Sequence, residues 1–156
     1  MKPKQTIAIL LLLATWCGTV LANADEDAVK DVLRAYEEAW SRHDEQAVAG
    51  FYYEPAMRVG KGGPVVRATR AEQRAFFESF LRGLVERGYA RSAWEELEVR
   101  LLDPQTALAS GITIRFRDDG SVLERVAVTY GLRNSGEGWK IFMSATHTAD
   151  TLLRFR

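Results

Sequence analysis

Three groups of side chains in this sequence are of types that carry chemistry. The first lies in AYEEAWSRHD, residues 35–44, where Tyr36 and Trp40 are one helical turn apart and His43 and Asp44 close the segment. A tyrosine and an acid on one wall would suit proton transfer. The same residues would serve equally as the end of a core helix, with Asp44 capping the next. The second group is Arg125 with His147, which strand pairing sets across from each other beside Thr113. An arginine cation near an imidazole disfavours its protonation and leaves a neutral base. The alternative there is a hydrogen-bonded cluster at a subunit face. The third is Glu124 with Tyr130, a carboxylate and a phenol on one face of a strand.

Other chemistry finds little material. With two histidines, His43 and His147, and the single Cys17, the sequence offers no histidine- or cysteine-rich metal site. It has no G-x-S-x-G elbow, phosphate-binding loop or dinucleotide fingerprint, so no cofactor is expected. Lys61-Gly62-Gly63 reads as a turn.

These residues need elements to hold them. DEDAVKDVLRAYEEAW places acids at a helix start, with Val29, Val32, Leu33, Tyr36 and Trp40 at helical spacing. Asp44 predicts the cap of a short helix through Ala47, Val48 and Phe51. AMRVG and PVVRA around KGG predict a hairpin. Thr69-Arg70-Ala71-Glu72 is a capping box opening a helix with an apolar stripe of Phe76, Phe77, Phe80, Leu81, Leu84 and Val85, and Gly88 stops it. Four strands follow, SAWEELEVRLL, ALASGITIRFR, SVLERVAVTYGLR and WKIFMSATH, joined by short polar turns. The order predicts an α+β fold with an antiparallel meander.

Tight closure of the last hairpins, Arg117 near Ser121 and Arg133 near Trp139, sorts the sheet into two faces. One carries Leu97, Val99, Leu101, Leu108, Ile112, Ile114, Phe116, Val122, Val126, Val128, Tyr130 and Phe142, with Glu124 among them, and is expected under the helices. The other carries Trp94, Arg115, Arg125, Trp139, Met143 and His147. Tryptophan and methionine among arginines suit an interface, so a homodimer through Trp94, Arg115, Trp139 and Met143 is expected. A partly solvated face is the alternative.

The 156 residues suit one domain, and 47% hydrophobic content argues against disorder. The start differs: Lys2 and Lys4 precede an apolar run from Ile7 to Val20, and Ala22-Asn23-Ala24 offers a small-x-small cleavage site. That predicts a signal peptide over residues 1–24, a domain over 25–156, and a periplasmic or secreted location, with no membrane association after cleavage. Removing Lys2 and Lys4 leaves 19 basic against 21 acidic residues, which attracts neither nucleic acid nor an anionic membrane.

With AYEEAWSRHDEQAVAGFY near its start and EGWKIFMSATH near its end, the chain resembles the nuclear-transport-factor-2-like, or SnoaL-like, superfamily. The resemblance spans the whole chain after residue 24. It implies a conical α+β barrel, a curved antiparallel sheet wrapped around a long helix, with a largely apolar pocket. The expected lining is Tyr36, Trp40, Phe80, Glu124, Tyr130 and Phe142. Among enzymes of this fold, ketosteroid isomerase uses a helix tyrosine, an aspartate base and a protonated aspartic acid. Tyr36 matches the tyrosine by its interval to Asp44. The base falls at Gly60 or its neighbours Val59 and Lys61, and the second acid near Ala127 or Val128, so neither acid is present. The expectation is therefore binding of a small apolar or amphipathic ligand. An isomerase, dehydratase or hydrolase, and a protein-interaction module using the sheet face, are the alternatives.

Overall fold

The computed structural model describes the backbone of residues 13–155 and the side chains of residues 25–155. The expected signal peptide therefore lies outside the described residues, apart from the backbone of residues 13–24, which belongs to the first helix. Helix α1 spans Leu13–Ser41, and α2, Glu45–Gly50, follows after a turn. His43 adopts a left-handed φ of 57° in that turn, and the Asp44 carboxylate accepts the Ala47 amide at 2.9 Å, which caps α2. Strands β1, Tyr52–Gly60, and β2, Gly63–Arg67, form a hairpin, closed by Gly63 at a φ of 91°. Helix α3, Arg70–Glu86, opens on the full Thr69–Glu72 capping box.

Strands β3 (Arg91–Asp103), β4 (Thr106–Phe116), β5 (Val122–Asn134) and β6 (Trp139–His147) make the meander. Among the described residues one six-stranded sheet forms, in the order β2-β1-β6-β5-β4-β3. Its neighbours are antiparallel except β1 and β6, which are parallel. That pairing corrects the all-antiparallel expectation: β1 enters beside β6 by way of the helices, so no hairpin dictates its direction.

The curved inner face receives α1, whose Val29, Leu33, Tyr36 and Trp40 are buried, and α3, whose Phe77, Leu81 and Leu84 are buried. Inner positions fall in rows across the strands. One row joins Val99, Ala109, Tyr130 and Ser144, and another joins Leu97, Gly111, Val128 and Thr146. A Cβ on Gly111 would lie 2.7 Å from the Trp94 ring and 2.5 Å from the Glu96 carbonyl, so glycine is what lets the indole lie flat there.

Strict alternation misassigns two strands. The β4–β5 turn closes as expected, with the Arg117 amide donating to the Ser121 carbonyl at 2.9 Å. A bulge at Arg115/Phe116 then moves β4 by one residue against β5. At the next turn Asn134, not Arg133, faces Trp139, and a further irregularity lies at Gly131/Leu132. Each one-residue slip exchanges faces. Leu108, Ile112 and Ile114 therefore lie outside, and Thr113, Arg115, Trp139 and Ile141 lie inside. A bulge between Trp94 and Glu96 likewise turns Trp94 inward, where its Nε1 donates to the Leu33 carbonyl at 3.2 Å.

Three of the four residues expected to form a dimer face, Trp94, Arg115 and Trp139, thus point into the cone; Met143 lies outside. The chain's own C-terminal segment crosses part of the outer face. A 3-10 turn at Ala149–Thr151 packs on β5, Arg154 pairs with Glu96 and with Glu98 (2.7 Å), and the Phe155 amide donates to Glu98 at 3.1 Å.

Candidate functional site

The interior of the cone has a polar floor. Tyr36 from α1, Tyr52 from β1 and Tyr130 from β5 meet there, with the Tyr36 and Tyr52 hydroxyls 3.0 Å apart. The Tyr36 ring stands edge-on to those of Trp40, Phe51, Tyr52 and Tyr130 at centroid separations of 5.7–6.1 Å. Burial, and then the neighbouring tyrosines, hold the Tyr36 phenol well above its ordinary range. Burial does the same for Tyr130, followed by Tyr52 and Glu37. Both are therefore neutral hydrogen-bonding groups at physiological pH.

Beside them lies Glu37, 7% exposed. It follows Leu33 by four residues and precedes Trp40 by three, so helical geometry carries it on the buried stripe of α1. Its Oε1 accepts a hydrogen bond from Thr113 Oγ1 on β4. Burial drives its pKa from 4.5 up to about 7; the Thr113 bond and the charge of Arg115 work against that and are outweighed. A carboxyl group held near half-ionisation at neutral pH is suited to giving and taking protons.

Tyr36, Glu37, Tyr52, Tyr130, Thr113 and Ser144 line a cavity of about 30 Å³, whose wall also includes Trp40, Arg58, Ser92, Arg115, Val128 and Thr146. Among the described residues, the buried Ser144 hydroxyl has no hydrogen-bond partner. On its far side Glu37 borders a groove of about 510 Å³ between α1 and β3, with Arg34, Glu38, Ser41, Trp94 and Leu97.

Above the floor the cone opens into a mouth of about 660 Å³, bordered by Phe80, Val126, Thr146 and several charged side chains. Arg58 lies over the rings of Phe76 and Phe80, 5.2 and 5.0 Å from their centroids. Arg67 covers Phe76 from 3.7 Å. Glu124 is gripped by Arg87 through two bonds of 3.0 and 3.2 Å and by Arg115 through a third. Partial burial would raise its pKa, but those bonds outweigh it and hold the carboxyl below its ordinary range.

The structure brings Tyr36, Trp40 and Tyr130 together at the floor and sets Phe80 and Glu124 at the mouth. It removes Phe142 from the pocket: the β6 shift puts that ring outside, 37% exposed, over the bare backbone of Gly131. Nor does it join Arg125 to His147. Arg125 pairs with Glu95 at 2.9 Å, whereas His147 bonds Thr129 at 3.0 Å and lies near Thr148 and Thr151. Both merely border the rim. Glu124 and Tyr130 are likewise in different layers, one at the mouth and one at the floor. His43 contacts the Ala90 carbonyl at 3.1 Å, away from the cavity.

The sequence reading missed Glu37, although an acid on the Leu33–Trp40 stripe was a signal available to it. Arg58, Arg115 and Ser144 carried no comparable signal, because the bulges decide which way two of them point.

The family profile described as NTF2-like protein (DUF6841) matches residues 25–149. Among solved structures, an NTF2-like protein with a cystatin-like fold from Novosphingobium aromaticivorans superimposes with a TM-score of 0.69 at 18% identity, covering 93% of each chain. A domain of unknown function with a cystatin-like fold from Nostoc punctiforme gives 0.64 at 22% identity, over 81% of this chain and 80% of its own. An NTF-2 like protein of unknown function from Shewanella oneidensis gives 0.62 at 20% identity, over 77% and 96%. These likenesses establish the fold. Among curated proteins, none matches this sequence. An α+β cone with a six-stranded curved sheet, matched by that profile over most of its length, belongs to the NTF2-like family DUF6841.

Proposed function

We propose that the cone binds a small molecule whose polar end reaches the floor. The observation that carries this is the continuity of cavity and mouth: Arg58, Arg115 and Thr146 line both, with the tyrosines, Glu37 and a Ser144 hydroxyl that has no partner among the described residues at the inner end. A buried hydroxyl left unsatisfied costs about 1–3 kcal/mol, which a ligand's hydrogen bond would recover. Native mass spectrometry of the protein purified from its own host tests it. A retained, defined extra mass that Ser144→Val weakens is the expected result. A bare chain that also ignores a panel of small amphipathic molecules would remove the proposal.

One observation favours a second reading, proton transfer on the bound molecule. Glu37 titrates near neutrality while facing the cavity, with tyrosine hydroxyls beside it that would hold a developing oxyanion. The proton would pass from a carbon next to a carbonyl to the Glu37 carboxylate and return to carbon, with no co-reactant. In deuterated water the wild type would exchange that hydrogen and Glu37→Gln would not; equal exchange in both excludes the role.

The chain is further read as exported, with residues 1–24 removed after Ala24. Lys2, Lys4, the apolar run and Ala22-Asn23-Ala24 support it. N-terminal sequencing of the cellular protein should begin at Asp25; a chain still beginning at Met1 would end the reading.

A further inference from the structure

The whole chain balances 21 basic against 21 acidic residues, yet the mouth does not. Five cations border it, Arg58, Lys61, Arg87, Arg115 and Arg125, against the single carboxylate of Glu124. Arg87 and Arg115 share that carboxylate, and Arg125 is held by Glu95. Among the described residues, Arg58 and Lys61 form no ion pair. Lys61 lies on an exposed turn, where water balances its charge. Arg58 is different: it is laid against two aromatic rings, its one side-chain hydrogen bond among the described residues is a long 3.4 Å contact to Thr146, and it borders both the mouth and the inner cavity.

We propose that the molecule taken by the cone carries one carboxylate group, received at the neck between the guanidinium groups of Arg58 and Arg115. This rests on the small-molecule reading above and names its chemical class. A guanidinium that is stacked and partly desolvated keeps its charge and presents a planar fork, which a carboxylate matches with two parallel hydrogen bonds. Ser144, on the same inner cavity, supplies a donor without a partner among the described residues. Glu124 already draws on Arg87 and Arg115, so the charge left for a ligand at the neck is chiefly the single one of Arg58. That favours a carboxylate over a phosphate dianion. Phe80 and Val126 offer the apolar body of the ligand its contacts. A polymer is excluded by the recess of the site, since the Arg115 side chain is only 13% exposed.

The test is a heteronuclear NMR titration of the full chain with 3-phenylpropionate, its amide and inorganic phosphate, repeated on Arg58→Gln. The carboxylate should shift cone resonances and bind at least about tenfold tighter than the amide, with that preference lost in the variant. Circular dichroism shows whether the variant keeps its fold. If it does not, Arg58→Lys replaces it, and an undiminished preference there overturns the forked geometry. Equal affinities for carboxylate and amide would overturn the proposal while leaving the pocket intact. Tighter binding of phosphate would overturn the single-charge argument. No shift in the cone with either organic compound would end both this proposal and the one it rests on.

Discussion

Glu37 and Glu124 occupy one cone, at floor and mouth, and their acidities move in opposite directions. Glu37 has lost its water and gained only a threonine hydroxyl and a share of Arg115's field, so its proton is held up to a pH of about 7. Glu124 is partly wet and gripped by two arginines, so it ionises more readily than a free carboxyl. The two residues are chemically identical; depth and partners alone separate them. A cone with a fixed anion at the rim and a titrating acid at the base can hold charge in one layer and move protons in the other.

Replacing the floor acid should have the largest effect. A carboxyl whose folded pKa lies above its unfolded value stabilises the fold fully below about pH 4.5, and that contribution fades as pH rises through about 7. The wild type should therefore lose about 3 kcal/mol between those limits. Glu37→Gln should be flat over that range and more stable than wild type at pH 8. Urea denaturation at pH 5 and 8 measures both, and parallel pH profiles would break the contrast. Thr113→Val sharpens it: deleting the bond that favours the ionised form should move the Glu37 titration further above neutrality, by about one pH unit. Carbon-detected NMR of the side-chain carboxyl would follow it, and a downward movement would contradict the geometry.

At the mouth the sign reverses. Glu124 contributes stability above the ordinary carboxylate range and loses it as pH falls through a folded pKa lying below that range. Its side chain is 27% exposed and solvent screens the pairs, so Glu124→Gln should cost about 1 kcal/mol at pH 7. That cost should vanish in acid, as denaturation at pH 7 and pH 3 would reveal. The smallest effect belongs to a residue outside the comparison. Asp44→Ala removes the α2 cap and should cost about 0.5–1 kcal/mol without moving the Glu37 titration. A moved titration would mean that the turn and the floor are coupled.

Much of the fold was legible because its signals are local. The capping box at Thr69, the Asp44 cap, the glycine turn at 62–63 and the polar turns of the meander each bind within a few residues of chain. The α1 stripe was legible for the same reason. Sheet faces were not, because they depend on a phase carried over many residues, and four register shifts within the meander reset it. The errors fall where that predicts. The inward residues of β5, Glu124 to Tyr130, follow the expected phase, whereas Arg115 on β4 and Trp139 and Phe142 on β6 exchange sides. Glu37 was lost differently. Its pattern was present, but an acid on an apolar stripe is readily read as the edge of the solvated face, and only burial distinguishes the two. The neck depends on Arg58, whose partners Phe76, Phe80 and Thr146 come from two other elements and leave no trace in spacing.

Gly111 gives this architecture its calibre. Because no side chain stands there, the Trp94 indole lies close to the sheet while its ring nitrogen tethers α1 at the Leu33 carbonyl. The indole thus works as a washer of fixed thickness between helix and sheet, and an absent methyl group sets how thick. Glu37 is one helical turn beyond that tether. A methyl group at residue 111 would meet both the indole and the Glu96 carbonyl, so helix, washer and strand could not all keep the spacing that surrounds the one acid whose behaviour depends on being dry.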